Sequence, residues 1–383
     1  MNLPLSGIVV ADFTRVLTGP YCTQTLGDLG ADVIKIEPPN GDDTRAWGAP
    51  WLEQNGMREA TYFLSANRNK RSIALDLKTS SDLETAQQIV DAADVLVENY
   101  RPRTLEKLGI QTKNPHLIVC SISGFGSSGT LKDWAGYDLI AQGMSGFMSY
   151  TGEPNGLPQK AGVAIADIFA GSLATQGILA ALYERERTGL GKHIEINLLE
   201  SMVALGTYQN SRYLNAGEDA ERLGNEHRSI VPYGTYKTSN GFVNIACGND
   251  VLYQKLCTAL NATDLLEPRF VSNEQRLIHR LELTQRLEAH LGRFSSEAAI
   301  DLLQGAGVPC GGVWSVGLAL ESDWAVSRGV VQSVQHPELG EVRLTKPPFE
   351  FNGSSLPIRQ APPRLDEHRA EILEWLKKQP QST

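Results

Sequence analysis

The chain predicts an α/β fold: a large domain built on a mostly parallel, helix-covered sheet, and a smaller α+β domain. Two patterns carry that expectation. Short apolar runs suited to buried strands alternate with amphipathic stretches through the first two hundred residues. A polar passage rich in glycine, asparagine and charge then separates this half from a region with its own hairpin and helices. At 383 residues the chain is too long for one compact domain to be the default.

Residues 8–12 read as a buried strand, followed by a loop at Thr14–Gly19. Thr18 is placed to cap a helix that carries Pro20 near its first position, where proline is best tolerated. Gly30 stops that helix and Val33–Ile36 forms the next strand. Ile73–Leu77, a helix from about Ser81 and a strand at Val95–Val97 repeat the βαβ pattern; Ser81 and Glu84 have capping-box spacing. Leu117–Ser121 adds another strand. In the run 162–171 an apolar strand gives way to the clearest helix, from Ile168 to about Arg187. Leu173, Leu179, Leu182 and Tyr183 can share a face there, and Gly189 can end it. His193–Asn197 alternates as a strand and Leu198–Leu205 is helical. Residues 206–230 read as an irregular linker. From 231 to 326 come a hairpin at Gly234–Ala246 and helices at Val251–Ala259, Arg276–Leu291 and Ser296–Gly305. The tail pairs strands about a turn at His336–Gly340, then ends in a helix from about Glu367 to Lys377. Periodicity does not say whether that helix docks on its own first domain or on a neighbouring subunit.

Composition excludes several classes. A formal charge of −9 argues against a nucleic-acid partner, which would need a basic face. The five cysteines are scattered without metal spacing or a paired framework, as buried thiols of a reducing compartment would be. The start Met-Asn-Leu-Pro-Leu is not a signal peptide, and no stretch reads as a membrane span. A cytoplasmic protein is expected. The seven histidines form no ligand set, so no metal is expected.

Asp167 is the best nucleophile candidate, because a carboxylate at a helix start meets unpaired N–H groups and the positive end of the dipole. Both should hold it ionised, although many aspartates merely cap helices in this way. The first βα turn lacks the glycine fingerprint of dinucleotide sites, so Glu37 at the end of the second strand is a weak ribose signal. Arg15 would still lie beyond a strand's carboxyl end, where open α/β sheets bind ligands. Two basic turns adjoin strands: Asn67–Arg71, with Asn69, Lys70 and Arg71, and Asn99–Arg103, with Asn99, Arg101 and Arg103. Lys107 follows on a short helix. Each could be a solvated turn, but together they suit phosphate and ribose recognition. Ser123–Gly129 is a donor-rich loop able to cradle an anion. Tyr137-Asp138 follows it. Cys247–Asp250, with Gly248 and Asn249, closes a strand and opens a helix.

These pieces, taken in order, resemble the family III CoA-transferases, the group that includes formyl-CoA:oxalate and carnitine CoA-transferases. The resemblance spans essentially the whole chain. It rests on Gly7–Arg15, Leu29–Pro38, Asn67–Leu75, Asp94–Asn99, Ala135–Asp138 and the Asp167 segment. It implies a Rossmann-like large domain of 1–205 and 327–383, a linker at 206–230 and a small domain of 231–326. It further implies a ring-shaped subunit in an interlocked homodimer, with the tail helix on the large domain. Asp167 matches the family's nucleophile. Coenzyme A would lie along Asn69, Lys70, Arg71, Asn99, Arg101, Arg103 and Lys107, as the carrier of thioester substrates rather than a permanent cofactor. Arg15, Tyr137, Gly248 and Asn249 would meet the acyl group, the Gly248 loop shielding the intermediates. Arg15 and Leu17 replace a histidine and a glutamine of the formyl-CoA enzyme, which disfavours formyl and oxalate. The likeness is greatest to members that move CoA from succinyl-CoA to a five-carbon diacid such as glutarate or itaconate. Arg15, with the 227–234 segment, would then hold the remote carboxylate. Two alternatives stay open. One is an α-methylacyl-CoA racemase-like enzyme, which would need a His/Asp pair although His193 is the histidine nearest Asp167 in sequence. The other is a non-catalytic CoA-binding dimer in which Asp167 only caps its helix.

Overall fold

A computed structural model describes residues 3–379. The chain divides into two compact units. The first comprises Met1–Met148, Lys160–Asp219 and Trp324–Thr383; the second comprises Ser149–Gln159 and Ala220–Asp323. Two segments differ from the expected division: 149–159 belongs with the second unit, and much of the supposed linker, Thr207–Ala216, is a helix of the first.

The first unit is built on six strands: β1 (Val9–Phe13), β2 (Asp32–Glu37), β3 (Lys70–Ala74), β4 (Val95–Glu98), β5 (Ile118–Ser123) and β6 (His193–Asn197). They lie in the order β3-β2-β1-β4-β5-β6, and every pairing is parallel. This is the doubly wound order, whose direction reverses between β1 and β4. Alternation along each strand feeds two cores. Val10, Val33, Val95, Val97 and Ile118 pack with Cys22 and Leu26 of α1 (Thr18–Asp28), and with Ala174, Ile178 and Leu182 of a long helix, Ile165–Thr188. Ala11, Ile34, Ile73 and Leu96 point the other way, onto Ala86, Ile89 and Val90 of α2 (Ser80–Asp91). Ile372 of the tail helix Arg369–Leu376 joins this second core, and the His368 N–H donates to the Ser72 carbonyl. The tail therefore docks on its own first unit.

Two expected caps are absent. The Thr79 side chain that precedes α2 caps nothing, so the Ser81/Glu84 box does not form. Thr18 opens α1 but does not cap it. The expected strand before Asp167 is irregular chain, and its helix starts three residues earlier than read, at Ile165. That helix is apolar and long enough to meet the length and composition of a membrane span, contrary to the sequence reading. Half of its apolar stretch is buried, as suits a core helix. Four cysteines are buried and Cys310 is half-buried, with no disulfide among the described residues. Burial pushes the Cys22 and Cys247 thiols up to about 12, which leaves both inert.

In the second unit, Tyr233–Lys237, Phe242–Ala246 and Cys310–Gly312 form an antiparallel sheet. Helices Asp250–Ala259, Arg280–Leu291 and Ser296–Gly305 pack on it through Tyr253, Leu256, Leu287 and Leu303. The single helix expected over 276–291 is interrupted at His279.

Beneath β1 lies a group of buried charges. Asp12 accepts from Lys70 Nζ at 3.2 Å, from the Thr14 N–H at 2.9 Å and from the Thr23 hydroxyl at 2.6 Å. Lys35 Nζ donates to Asp42 and to the Thr14 carbonyl, both at 2.9 Å. Removing one partner of such a set strands an uncompensated charge. Lys70→Met is therefore expected to destabilise the protein by about 3–5 kcal/mol. Chemical denaturation would measure this, and a loss below about 1 kcal/mol would refute the assignment.

Candidate functional site

The reversal of strand order leaves a crevice beyond the carboxyl ends of β1 and β4. The turn after β1 holds Arg15 and Val16; the turn after β4 holds Asn99 to Arg103. Asn99 bridges them, donating from Nδ2 to the Arg15 carbonyl at 2.7 Å and accepting the Arg15 N–H at 2.9 Å. Val16 has φ of 68°, unfavourable for a β-branched residue, and its N–H points at the Asp42 carboxylate at 3.2 Å. The buried charges under β1 thus shape the turn.

Asp167 enters this crevice from the long helix, α4 (Ile165–Thr188), where it stands in the first turn. A shorter helix before it, α3 (Asp138–Met144), supplies the cap that α4 lacks: Asp138 Oδ1 accepts the Ala166 N–H at 2.9 Å. The Thr18 hydroxyl, freed from capping its own helix, donates to Asp167 Oδ1. The contact depends on Gly171 one turn along, where a Cβ would come within 2.5 Å of the Thr18 carbonyl. Burial lifts the Asp167 carboxyl to about 6; the Thr18 bond pulls it down and the Asp138 charge pushes it up. The helix terminus therefore does not dominate, as the sequence reading supposed. Desolvation does.

A cavity of about 270 Å³ joins Asp167 and Thr18 to Arg15, Asn99, Arg101 and Tyr137. The loop Ser123–Gly126 lines it too, and comes close because Gly124 and Gly136 meet backbone to backbone; a Cβ on Gly124 would stand 2.6 Å from the Gly136 Cα. Arg15 lies over the Tyr100 ring, 5.5 Å from its centroid, and loosely faces Asp43 at 3.7 Å. An adjoining cavity of about 700 Å³ carries Arg101, Arg103, Lys107 and Lys132. Glu98, Asp133 and Glu195 line it too, so the cations exceed the carboxylates by one, a small excess in favour of an anionic ligand. Lys132, Asp43 and the Thr18 hydroxyl were missed in the sequence, since all three lie in polar turns or at a helix start without distinctive spacing.

Three expected ligand residues are committed elsewhere. Lys70 is wholly buried on Asp12, the Pro20 carbonyl and Asn67. Asn69 donates to Asp28 and accepts from the Arg359 and Gln360 N–H groups. Arg71 is paired with Asp32 and Glu371. These donors are engaged within the fold, Lys70 and Asn69 in full burial and Arg71 with the more exposed carboxylates Asp32 and Glu371. Glu37 is likewise spent on a bidentate pair with Arg45. In the second unit Asn249 caps its helix, accepting the Leu252 N–H at 2.9 Å, while Gly248 is exposed with open space around its Cα.

The chain matches CoA-transferase family III over residues 5–369. It is 39% identical over 379 residues to the succinate–glutarate CoA-transferase of Agrobacterium fabrum, covering 97% of this chain and 95% of that one. It is 38% identical over 377 residues to the succinyl-CoA:glutarate CoA-transferase of Mus musculus, covering 97% and 86%. The fold matches the crystal structure of a CAIB/BAIF family protein from Brucella suis with a TM-score of 0.90 and 40% identity, over 98% of this chain and all of that one. On this evidence the chain belongs to CoA-transferase family III and is a CoA-transferase.

Proposed function

We propose that the protein moves coenzyme A from succinyl-CoA to a five-carbon dicarboxylate, with Asp167 as the covalent nucleophile. One observation carries the reading: a half-buried carboxylate with its pKa near 6 stands in a cavity with Arg15, next to a second cavity where four cations accompany three carboxylates. The relatives named for succinate, succinyl-CoA and glutarate support this substrate pair in a reversible transfer, and Arg101, Arg103 and Lys107, joined by Lys132, are placed to meet the phosphates.

The chemistry follows from the groups present. An Asp167 oxygen attacks the thioester carbonyl; the C–S bond breaks, leaving an aspartyl–succinyl anhydride and CoA thiolate. The thiolate attacks Asp167 Cγ, which releases succinate and leaves an aspartyl–CoA thioester. The acceptor carboxylate displaces thiolate from Cγ, and that thiolate then attacks the acceptor's acyl carbon, releasing the new acyl-CoA and free Asp167. Splitting the exchange in this way replaces one difficult step by easier ones. Thioester and carboxylate appear on both sides, so no further energy source is required. Arg15 grips the remote carboxylate of the diacid. By family resemblance, two subunits interlock as a homodimer. Helix Thr207–Ala216 favours self-association: it buries no residue, and Tyr208 and Leu214 are 71% and 76% exposed.

Incubation with succinyl-CoA is expected to add CoA, less one water, to the peptide bearing Asp167, read by mass spectrometry. Asp167→Asn should give no adduct and no exchange. It should also be more stable than the parent. The folded carboxyl binds its proton more tightly than the unfolded one, so stability falls as pH rises from about 4 through about 6. Ionised Asp167 then costs on the order of 2 kcal/mol at neutral pH after discounting for its solvent-facing side. A variant that is inactive and also less stable at pH 7.5 would contradict that account.

Exchange requires the ionised carboxylate, so kcat is expected to fall as pH drops through about 6, tenfold per unit below it. A profile flat down to pH 5 would refute this. Arg15→Ala should raise the KM for glutarate at least tenfold more than that for butyrate, measured as new acyl-CoA. Sedimentation should give twice the 41.8 kDa chain mass, falling toward the monomer in Tyr208→Glu/Leu214→Glu.

A further inference from the structure

The Thr18 hydroxyl has one hydrogen-bond acceptor among the described residues, Asp167 Oδ1, and Thr18 is buried. Asp167 Oδ2 accepts no hydrogen bond among the described residues and is not a buried atom left without a partner, so it is the oxygen open to the cavity. The two oxygens are therefore not equivalent. Oδ2 is free to attack a thioester; Oδ1 is held.

We propose that Thr18 is a catalytic oxyanion donor, stabilising the negative charge that develops on Oδ1 whenever Asp167 Cγ is attacked. This rests on the reading of Asp167 as nucleophile. When Oδ2 becomes acylated, Oδ1 is left as the carbonyl oxygen of the aspartyl group. Two steps then pass through a tetrahedral centre at Cγ: thiolate attack on the anhydride and acceptor attack on the aspartyl thioester. In each, the Cγ=Oδ1 π electrons move onto Oδ1 and return as the leaving group departs with its bonding pair, succinate in the first and thiolate in the second. The Thr18 hydrogen stays on Thr18 and points at Oδ1 throughout. The other two steps attack the acyl carbon of a substrate, where Thr18 has no such part. Placement by helix packing makes the donor rigid: Thr18 opens α1, and Gly171 of α4 lies against its carbonyl.

The same hydroxyl lowers the Asp167 pKa, so the test must separate the two effects. Transfer from succinyl-CoA to glutarate would be measured for the parent, Thr18→Val and Thr18→Ser between pH 6 and 9. In Thr18→Val, kcat is expected to fall about 10²-fold or more and to stay down at pH 9, where Asp167 is ionised in either protein. Thr18→Ser should recover most of it. Because formation of the anhydride does not use Thr18, the valine variant should release free thiol in a first turnover at a rate much nearer the parent's, and a larger share of succinyl-CoA should be lost to hydrolysis. If kcat of Thr18→Val returns to within threefold of the parent at pH 9, Thr18 only tunes the carboxyl and the proposal falls. If Asp167→Asn itself retains exchange, the reading beneath it falls instead. Circular dichroism and thermal melts on both variants guard against misfolding, with the serine protein as the folded reference.

Discussion

The arrangement of buried charge beneath β1 is the constraint on which the site depends. Asp12, Lys35 and Lys70 are fully removed from water, and Asp42 nearly so. Burial alone would push the Asp12 carboxyl up, yet Lys70 and Lys35 hold it below its ordinary value. Burial would pull Lys35 down, and Asp42, Asp12 and Glu37 together raise it instead. The set continues through Glu37 to Arg45 and Glu59. Moving each ion from water carries a penalty of several kcal/mol, so the group is a poor device for stability alone. It does fix the β1–α1 turn. Asp12 fastens Thr14 by both N–H and hydroxyl, Lys35 takes the Thr14 carbonyl, and Asp42 takes the Val16 N–H. Dinucleotide folds make this turn short and glycine-rich so that a pyrophosphate can approach the backbone. Here charge holds it in a different shape, with Arg15 turned toward the crevice.

The doubly wound order does the remaining positioning. Only between β1 and β4 do neighbouring strands send their connections to opposite sides, and the gap that opens there is the ligand crevice. Asn99 pins the two turns together across it through both backbone groups of Arg15. With its main chain held and its guanidinium over Tyr100, Arg15 is oriented without strong ion pairing. Its 3.7 Å approach to Asp43 involves two half-exposed groups and is worth no more than about 1 kcal/mol. A bidentate substrate carboxylate can displace such a partner.

Much of this was legible in the sequence. The parallel sheet, the helix carrying Asp167 and the hairpin of the second unit follow from hydropathic period and turn residues. Arg15, Asn99, Arg101 and Tyr137 do line the Asp167 cavity, because each follows a strand or precedes a helix facing the crevice. The failures share one cause. Lys70 and Arg71 were read as a basic turn because charge in a strand looks like surface, whereas carboxylates distant in sequence neutralise them: Asp12, Asp32 and Glu371. Thr18 and Asn249 illustrate the converse. Local pattern suggested a cap for Thr18, and long-range geometry gave its hydroxyl to Asp167 instead; Asn249, which the resemblance implied at the acyl site, caps its own helix through Oδ1. Side-chain partners so far apart, 39 residues for Arg71 and Asp32 and 58 for Lys70 and Asp12, leave no mark in a single sequence.

The environment of Asp167 follows from competing demands. Full exposure would leave the carboxylate well solvated and weakly nucleophilic; full burial would keep it protonated at neutral pH. With its pKa near 6, roughly nine in ten molecules are ionised at pH 7, while much of the hydration that would blunt attack is gone. Holding that balance needs a rigid support, since a loop would relax toward water. The support is α4, whose alanine and glycine positions let it lie close against α1: Ala170 and Ala174 are fully buried, and Gly171 meets the Thr18 carbonyl. Larger side chains at those positions would part the helices, and Asp167 would gain water and lose Thr18 together. The packing of two core helices thus sets both the acidity of the carboxyl and which of its oxygens is free.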